Sequence, residues 1–132
     1  MKITADTNVL LRTLVNDNEE QAARAVDVLT SADMVAISLQ TLCEISWVLN
    51  VSYGVTRINI SAAIRALVNT SNVVTNRAAA EAGLALLEAG GDFADGVIAF
   101  DGAWLGAETF VSFDKKAVQL LKASGHQCKL LV

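Results

Sequence analysis

At 132 residues the chain has the length of one domain, and a chain of that size buries roughly two-thirds of its unfolded surface without disulfide or metal staples. Hydrophobic residues make up 53% and mean hydropathy is +0.44, yet every apolar run is too short to span a bilayer; the excess predicts that another chain covers part of the surface. A net charge of −4 argues against a broad basic nucleic-acid surface, although Lys115, Lys116, Lys122 and Lys129 crowd the last 18 residues and two divalent ions on a carboxylate site would add +4.

The opening Met1–Asp6 lacks the layout of a signal peptide and reads directly as a strand. Cys43 and Cys128 have no metal-type spacing and are expected as reduced, buried thiols of a cytoplasmic protein.

In chain order, Ile3–Asp6 reads as a strand, and Thr7–Val15 and Glu19–Ser31 as helices, the second with Ala22, Ala25, Val26 and Leu29 at helical spacing. Met34–Ile37 is a strand, Leu39–Tyr53 a helix stopped by Gly54, Ser61–Asn69 a helix, and Val73–Thr75 a very short strand. Arg77–Ala89 and Phe93–Leu105 are helices closed by Gly90-Gly91 and Gly106. Thr109–Phe113 is a strand, Lys115–Ala123 a helix closed by Gly125, and Gln127–Leu131 a last strand. Strands separated by helices imply parallel pairing through crossovers. The expected fold class is α/β, one domain over residues 1–132, with helices on both faces of a mostly parallel sheet of about five strands.

Five carboxylates stand out. Asp6 and Asp114 each follow a strand and precede a helix, and each is explained in isolation as a helix N-cap. Asp92 and Asp95 have capping-box spacing, with Asp92 as the cap, although aspartate is a poor back-bonding residue at the position of Asp95. Glu44 shares an apolar stripe with Trp47, Val48 and Val51, where a glutamate needs a partner: Arg12 or a metal ion. Strand carboxyl ends of a parallel sheet share one edge, so Asp6 and Asp114 are expected on the same side. Two carboxylates about 5 Å apart repel by about 3 kcal/mol at an effective dielectric of about 20, and a cluster calls for a cation. Oxygen-only ligands with open positions suit Mg²⁺ or Mn²⁺.

The same residues carry a family resemblance. Ala5-Asp6-Thr7-Asn8-Val9-Leu10-Leu11-Arg12 resembles the opening motif of PIN domains, and of the VapC-type toxins of bacterial toxin–antitoxin pairs in particular. Glu44 in Leu42-Cys43-Glu44-Ile45-Ser46-Trp47, with Tyr53-Gly54 following, is similar to the family's helix glutamate. Asp92-Phe93-Ala94-Asp95-Gly96-Val97 and Val111-Ser112-Phe113-Asp114-Lys115-Lys116 resemble the third and closing motifs, and all four stand in the family's order. The resemblance implies a PIN-like three-layer α/β/α fold and a metal-dependent endoribonuclease. It implies metal ligation and catalysis by Asp6, Glu44, Asp95 and Asp114, with supporting places for Thr7 and Asp92. Gly96 stands where the family commonly has alanine and is expected to loosen the start of its helix.

His126 is the only histidine, so a paired-histidine nuclease is excluded by count, and no phosphate loop or nucleophile with a base is present. Metal-activated water remains, with a second ion stabilising the leaving oxygen and 5′-phosphate and 3′-OH ends expected. Arg12, Lys115 and Lys116 are candidates for gripping RNA phosphates; solvated surface charge explains each equally well. Two other readings stay open. One is a metal-binding phosphoacceptor or phosphatase-like domain, although Asn8 occupies the position where a dehalogenase-type site has its second aspartate. The other is a non-catalytic RNA-binding PIN-like module. The resemblance further implies a tRNA or mRNA substrate and a small antitoxin covering the acidic pocket, and the apolar excess a homodimer.

Overall fold

Helix starts in this chain are written by short polar side chains, and six of them act as N-caps. Asp6, Asn18, Ser38, Thr56, Asp92 and Asp114 each accept a hydrogen bond from a backbone N–H of the first helical turn. A computed structural model describes residues 1–132. Two compact units are distinguished, Met1–Arg77 and Ala78–Val132.

The first unit contains strand β1 (Lys2–Thr4), helices α1 (Thr7–Leu14) and α2 (Glu19–Ser31), strand β2 (Met34–Ala36), helices α3 (Leu39–Val51) and α4 (Arg57–Val68), and strand β3 (Val73–Val74). Its three strands pair in the order β1-β2-β3, all parallel, with Thr4 opposite Ala36 and Ala36 opposite Val74. Their carboxyl ends therefore share one edge, where Asp6 follows β1. Leu10, Val35, Leu42, Ile45, Leu49, Ile60 and Ile64 are nearly or completely buried in this unit.

The second unit contains α5 (Arg77–Glu88, its first residue in the first unit), α6 (Phe93–Trp104), β4 (Thr109–Ser112), α7 (Lys115–Ala123) and β5 (Gln127–Leu130). β4 and β5 pair in parallel, Thr109 opposite Gln127 through Ser112 opposite Leu130. Leu86, Ala99 and Leu121 form a core cluster, with Phe110, Leu120 and Cys128 packed on it. Cys43 and Cys128 form no disulfide and are partly rather than fully buried.

The α/β class, the five strands and their parallel pairing are as expected; the strands hydrogen-bond as a set of three and a set of two. Most boundaries fall within two residues of expectation. α4 is the exception, starting at Arg57 instead of Ser61. Its apolar periodicity begins only at Ile60, because Ile58 in the first turn is 81% exposed, so the Thr56 cap was the sole sign of the true start. No helix is long and apolar enough to cross a membrane.

Gly96, expected to loosen the start of its helix, has a packing role as well: it lets α6 lie directly on α5. A β-carbon there would stand 2.6 Å from the Ala82 carbonyl oxygen and 2.8 Å from the Gly83 Cα. Gly83 is equally constrained, since a β-carbon would meet the Phe93 ring at 2.7 Å. A glycine pair at one crossing permits this close backbone approach, which positions the first turn of α6 and its Asp95.

Candidate active site

In the first unit the site is built at the start of α1. Asp6 is extended, and its Oδ1 accepts from the Val9 N–H at 3.0 Å. The cap engages one carboxylate oxygen only and holds the side chain in a fixed direction, so capping and metal ligation are compatible roles. Thr7 opens the helix, and its Oγ1 donates to Glu44 Oε2 at 3.1 Å across 37 residues of sequence. The Glu44 carboxylate is thereby brought beside the residue that follows Asp6.

Glu44 reaches this position from an unexpected face. α3 buries Thr41, Leu42, Ile45, Ser46 and Leu49, whereas Trp47 and Val51 are 62% and 60% exposed, and Glu44 is exposed with them. The stripe read as core is thus an open apolar face. Arg12, considered as a partner of Glu44, is engaged elsewhere: its Nη1 donates to Asp17 at 2.9 Å and its Nε to Gln21 at 2.7 Å.

In the second unit Asp95 feels the charges of Asp92 and Asp114. Asp92 caps α6 through Oδ1, which accepts from the Ala94 N–H at 3.2 Å. The reciprocal half of a capping box is missing, because no bond joins Asp95 to the Asp92 N–H. Asp95 instead lies half-buried in the first turn of α6. Burial pushes its carboxyl above the ordinary value, and the charges of Asp92 and Asp114 push it further. Asp114 stands two residues past β4 and caps α7, with Oδ1 accepting from the Ala117 N–H at 3.0 Å. The Asp114 N–H donates in turn to Ser112 Oγ at 2.9 Å. Ser112 escaped the sequence analysis; a hydroxyl two residues before a capping aspartate was the available sign.

Of the candidate phosphate-gripping residues, Lys115 is exposed at the start of α7. Lys116 lies near Gly90, whose built β-carbon would be 4.0 Å from Nζ, at the carboxyl end of α5 where the helix dipole favours a cation. Arg12 retains its Nη2 for other contacts.

The donor chemistry fits a hard divalent cation. Every candidate ligand is a carboxylate oxygen, and Asp95 pairs a half-buried carboxyl with two like charges and no hydrogen-bond donor of its own. No three acidic, histidine or cysteine side chains are gathered into a group that could hold a metal ion by themselves.

Comparison with known proteins is consistent with this chemistry. No curated protein matches the chain. The family described as PIN domain matches residues 3–121, which runs from β1 into α7 and includes Asp6, Glu44, Asp95 and Asp114. With nearly its whole length matched, the chain belongs to the PIN-domain family.

Proposed function

We propose that this chain is a divalent-metal-dependent endoribonuclease, a single PIN nuclease domain acting as the VapC-type toxin of a toxin–antitoxin pair. PIN domains are commonly metal-dependent nucleases, and the nuclease-type fold is present here. The ligands in this reading are Asp6, Glu44, Asp95 and Asp114, and the ion is Mg²⁺ or Mn²⁺. The observation that carries it is Asp95, whose half-buried carboxyl sits among like charges without a donor. Such an arrangement is costly unless a cation relieves it.

When bound, a divalent ion supplies Lewis acidity, acidifying water and neutralising charge on the scissile phosphate. The chain's own residues supply position. Asp6 and Asp114 fix one oxygen each in a helix cap and present the other. Thr7 orients Glu44 through its hydrogen bond. Asp92 starts α6 in the register that places Asp95. Lys115, Lys116 and the free edge of Arg12 contact RNA phosphates in this reading.

The partner proposals rest on exposed apolar side chains. Trp47, Val51, Trp104, Leu105 and Phe113 are each at least 60% exposed, as surface covered by a second copy or by an antitoxin would be. The reading includes a cytoplasmic location and a tRNA or mRNA substrate.

The test is cleavage of RNA by purified protein. Mg²⁺ or Mn²⁺ should support cutting, EDTA should stop it, and the products should carry 5′-phosphate and 3′-OH ends. Undiminished cleavage in EDTA, or 2′,3′-cyclic phosphate ends, overturns the proposal.

A further inference from the structure

The Thr7–Glu44 hydrogen bond is a first tie between the α1 region and the α3 region, beside their direct packing. The second lies at their far ends. The Tyr53 hydroxyl, two residues beyond α3, donates to Asp17 Oδ2 at 2.8 Å, and Arg12 Nη1 donates to Asp17 Oδ1 at 2.9 Å. Arg12 Nε donates to Gln21 in the first turn of α2 at 2.7 Å. Asp17 thus joins the last turn of α1 to the carboxyl end of α3, using both its oxygens. Tyr53 is firmly attached to α3, because the chain turns at Gly54 (φ 63°) with the Gly54 N–H on the Asn50 carbonyl and the Val55 N–H on the Leu49 carbonyl.

We infer that Tyr53 and Asp17 are positioning residues that fix the register of α3 against α1 and so hold the Glu44 carboxylate where Asp6 and Thr7 require it. This rests on the metal-site reading of Glu44. Packing of α3 on α1 tolerates small shifts, and a single hydrogen bond fixes one distance only, so the helix can still turn slightly about that contact. A second tie nine residues along, about 13 Å at the helical rise, removes that freedom. Glu44 needs the constraint because it lies on the exposed face of α3, outside the packed side of Leu42, Ile45 and Leu49. Without the constraint Glu44 is less pre-organised, so an ion must order it on binding and is held less tightly.

The Tyr53–Asp17 contact is a firm one: the Tyr53 hydroxyl is the largest influence holding the Asp17 carboxyl below its ordinary value, ahead of the opposing effect of burial and of the Arg12 charge. The cluster is also exposed, with Arg12 and Asp17 side chains 28% and 44% accessible. Exposed pairs contribute little to global stability, so variants that lose the tie should fold. Register and stability can therefore be measured separately.

Tyr53→Phe and Asp17→Asn in the full-length chain provide the test. Thermal melts across a Mn²⁺ titration at fixed ionic strength give one half-saturation point, and RNA cleavage across the same titration gives another. Each variant should raise both points by about threefold to tenfold, the scale of one ordinary hydrogen bond. Cleavage at saturating Mn²⁺ should return to within about twofold of wild type, and melting in EDTA should be nearly unchanged. Half-saturation points equal to those of wild type overturn the inference, whether or not the melting temperature in EDTA falls, and leave the metal site standing. A wild-type protein whose melting ignores Mn²⁺ overturns both.

Discussion

Thr7 Oγ1 and Glu44 Oε2 are 3.1 Å apart, and this hydrogen bond joins the first residue of α1 to the middle of α3. It is where the first unit brings two of the motif residues into contact. Thr7→Val keeps the shape and removes the donor. Cleavage should fall about tenfold and the Mn²⁺ requirement should rise, whereas Glu44→Ala should nearly abolish cleavage. Steady-state rates across a metal titration check both. Equal losses in the two variants would show that Thr7 does more than orient Glu44.

Asp95 makes a pH prediction. Its carboxyl is raised in the folded protein by burial, by Asp92 and by Asp114, so the folded state takes up the proton more readily than the unfolded chain. The stability it contributes is fully present below the ordinary value of 3.8 and is lost as pH rises through its raised pKa. In EDTA at neutral pH, Asp95→Asn should therefore melt higher than wild type, and the difference should close as pH falls below 3.8. Saturating Mg²⁺ or Mn²⁺ should raise the wild type and leave the variant nearly unmoved. Melting curves over pH, with and without metal, measure this; a variant less stable than wild type in neutral EDTA contradicts it.

Gly96→Ala tests the contact between α5 and α6. Helix propensity alone favours alanine by about 1 kcal/mol. The β-carbon would stand 2.6 Å from the Ala82 carbonyl oxygen, and the displaced backbones should cost about 1–3 kcal/mol net. Urea denaturation gives the sign directly. A gain in stability would mean that the two helices separate without strain.

Asp92→Ala should cost about 1 kcal/mol through loss of the α6 cap while cleavage largely survives. It also removes one of the charges that raise Asp95, whose carboxyl should move back toward its ordinary value. Carboxyl titration by NMR and denaturation midpoints separate the two effects. Asp114→Ala should reduce cleavage less than Asp6→Ala or Asp95→Ala, since water can replace one ligand of a magnesium shell.

Local physics made much of this protein readable from its residues alone. Caps such as Asn18 and Asp114, the glycine stops at Gly54, Gly90, Gly106 and Gly125, and apolar periodicity all act within a few residues, so the order of elements followed from them. The family was legible because residue types in a set order resemble it, and the PIN-domain match over residues 3–121 bears that out. What the sequence could not decide depended on which side of an element meets another. The stripe of Glu44, Trp47 and Val51 has helical spacing whether it faces core or water, and only packing on Leu42, Ile45 and Leu49 chose water. Gly96 reads as a weak helix former until Gly83 is found against it. Asp17, in an unremarkable connection after α1, gained its partners only when the end of α3 delivered Tyr53 36 residues later. Periodicity and propensity report the geometry of one element, whereas the register between elements is set by contacts between residues far apart in the chain.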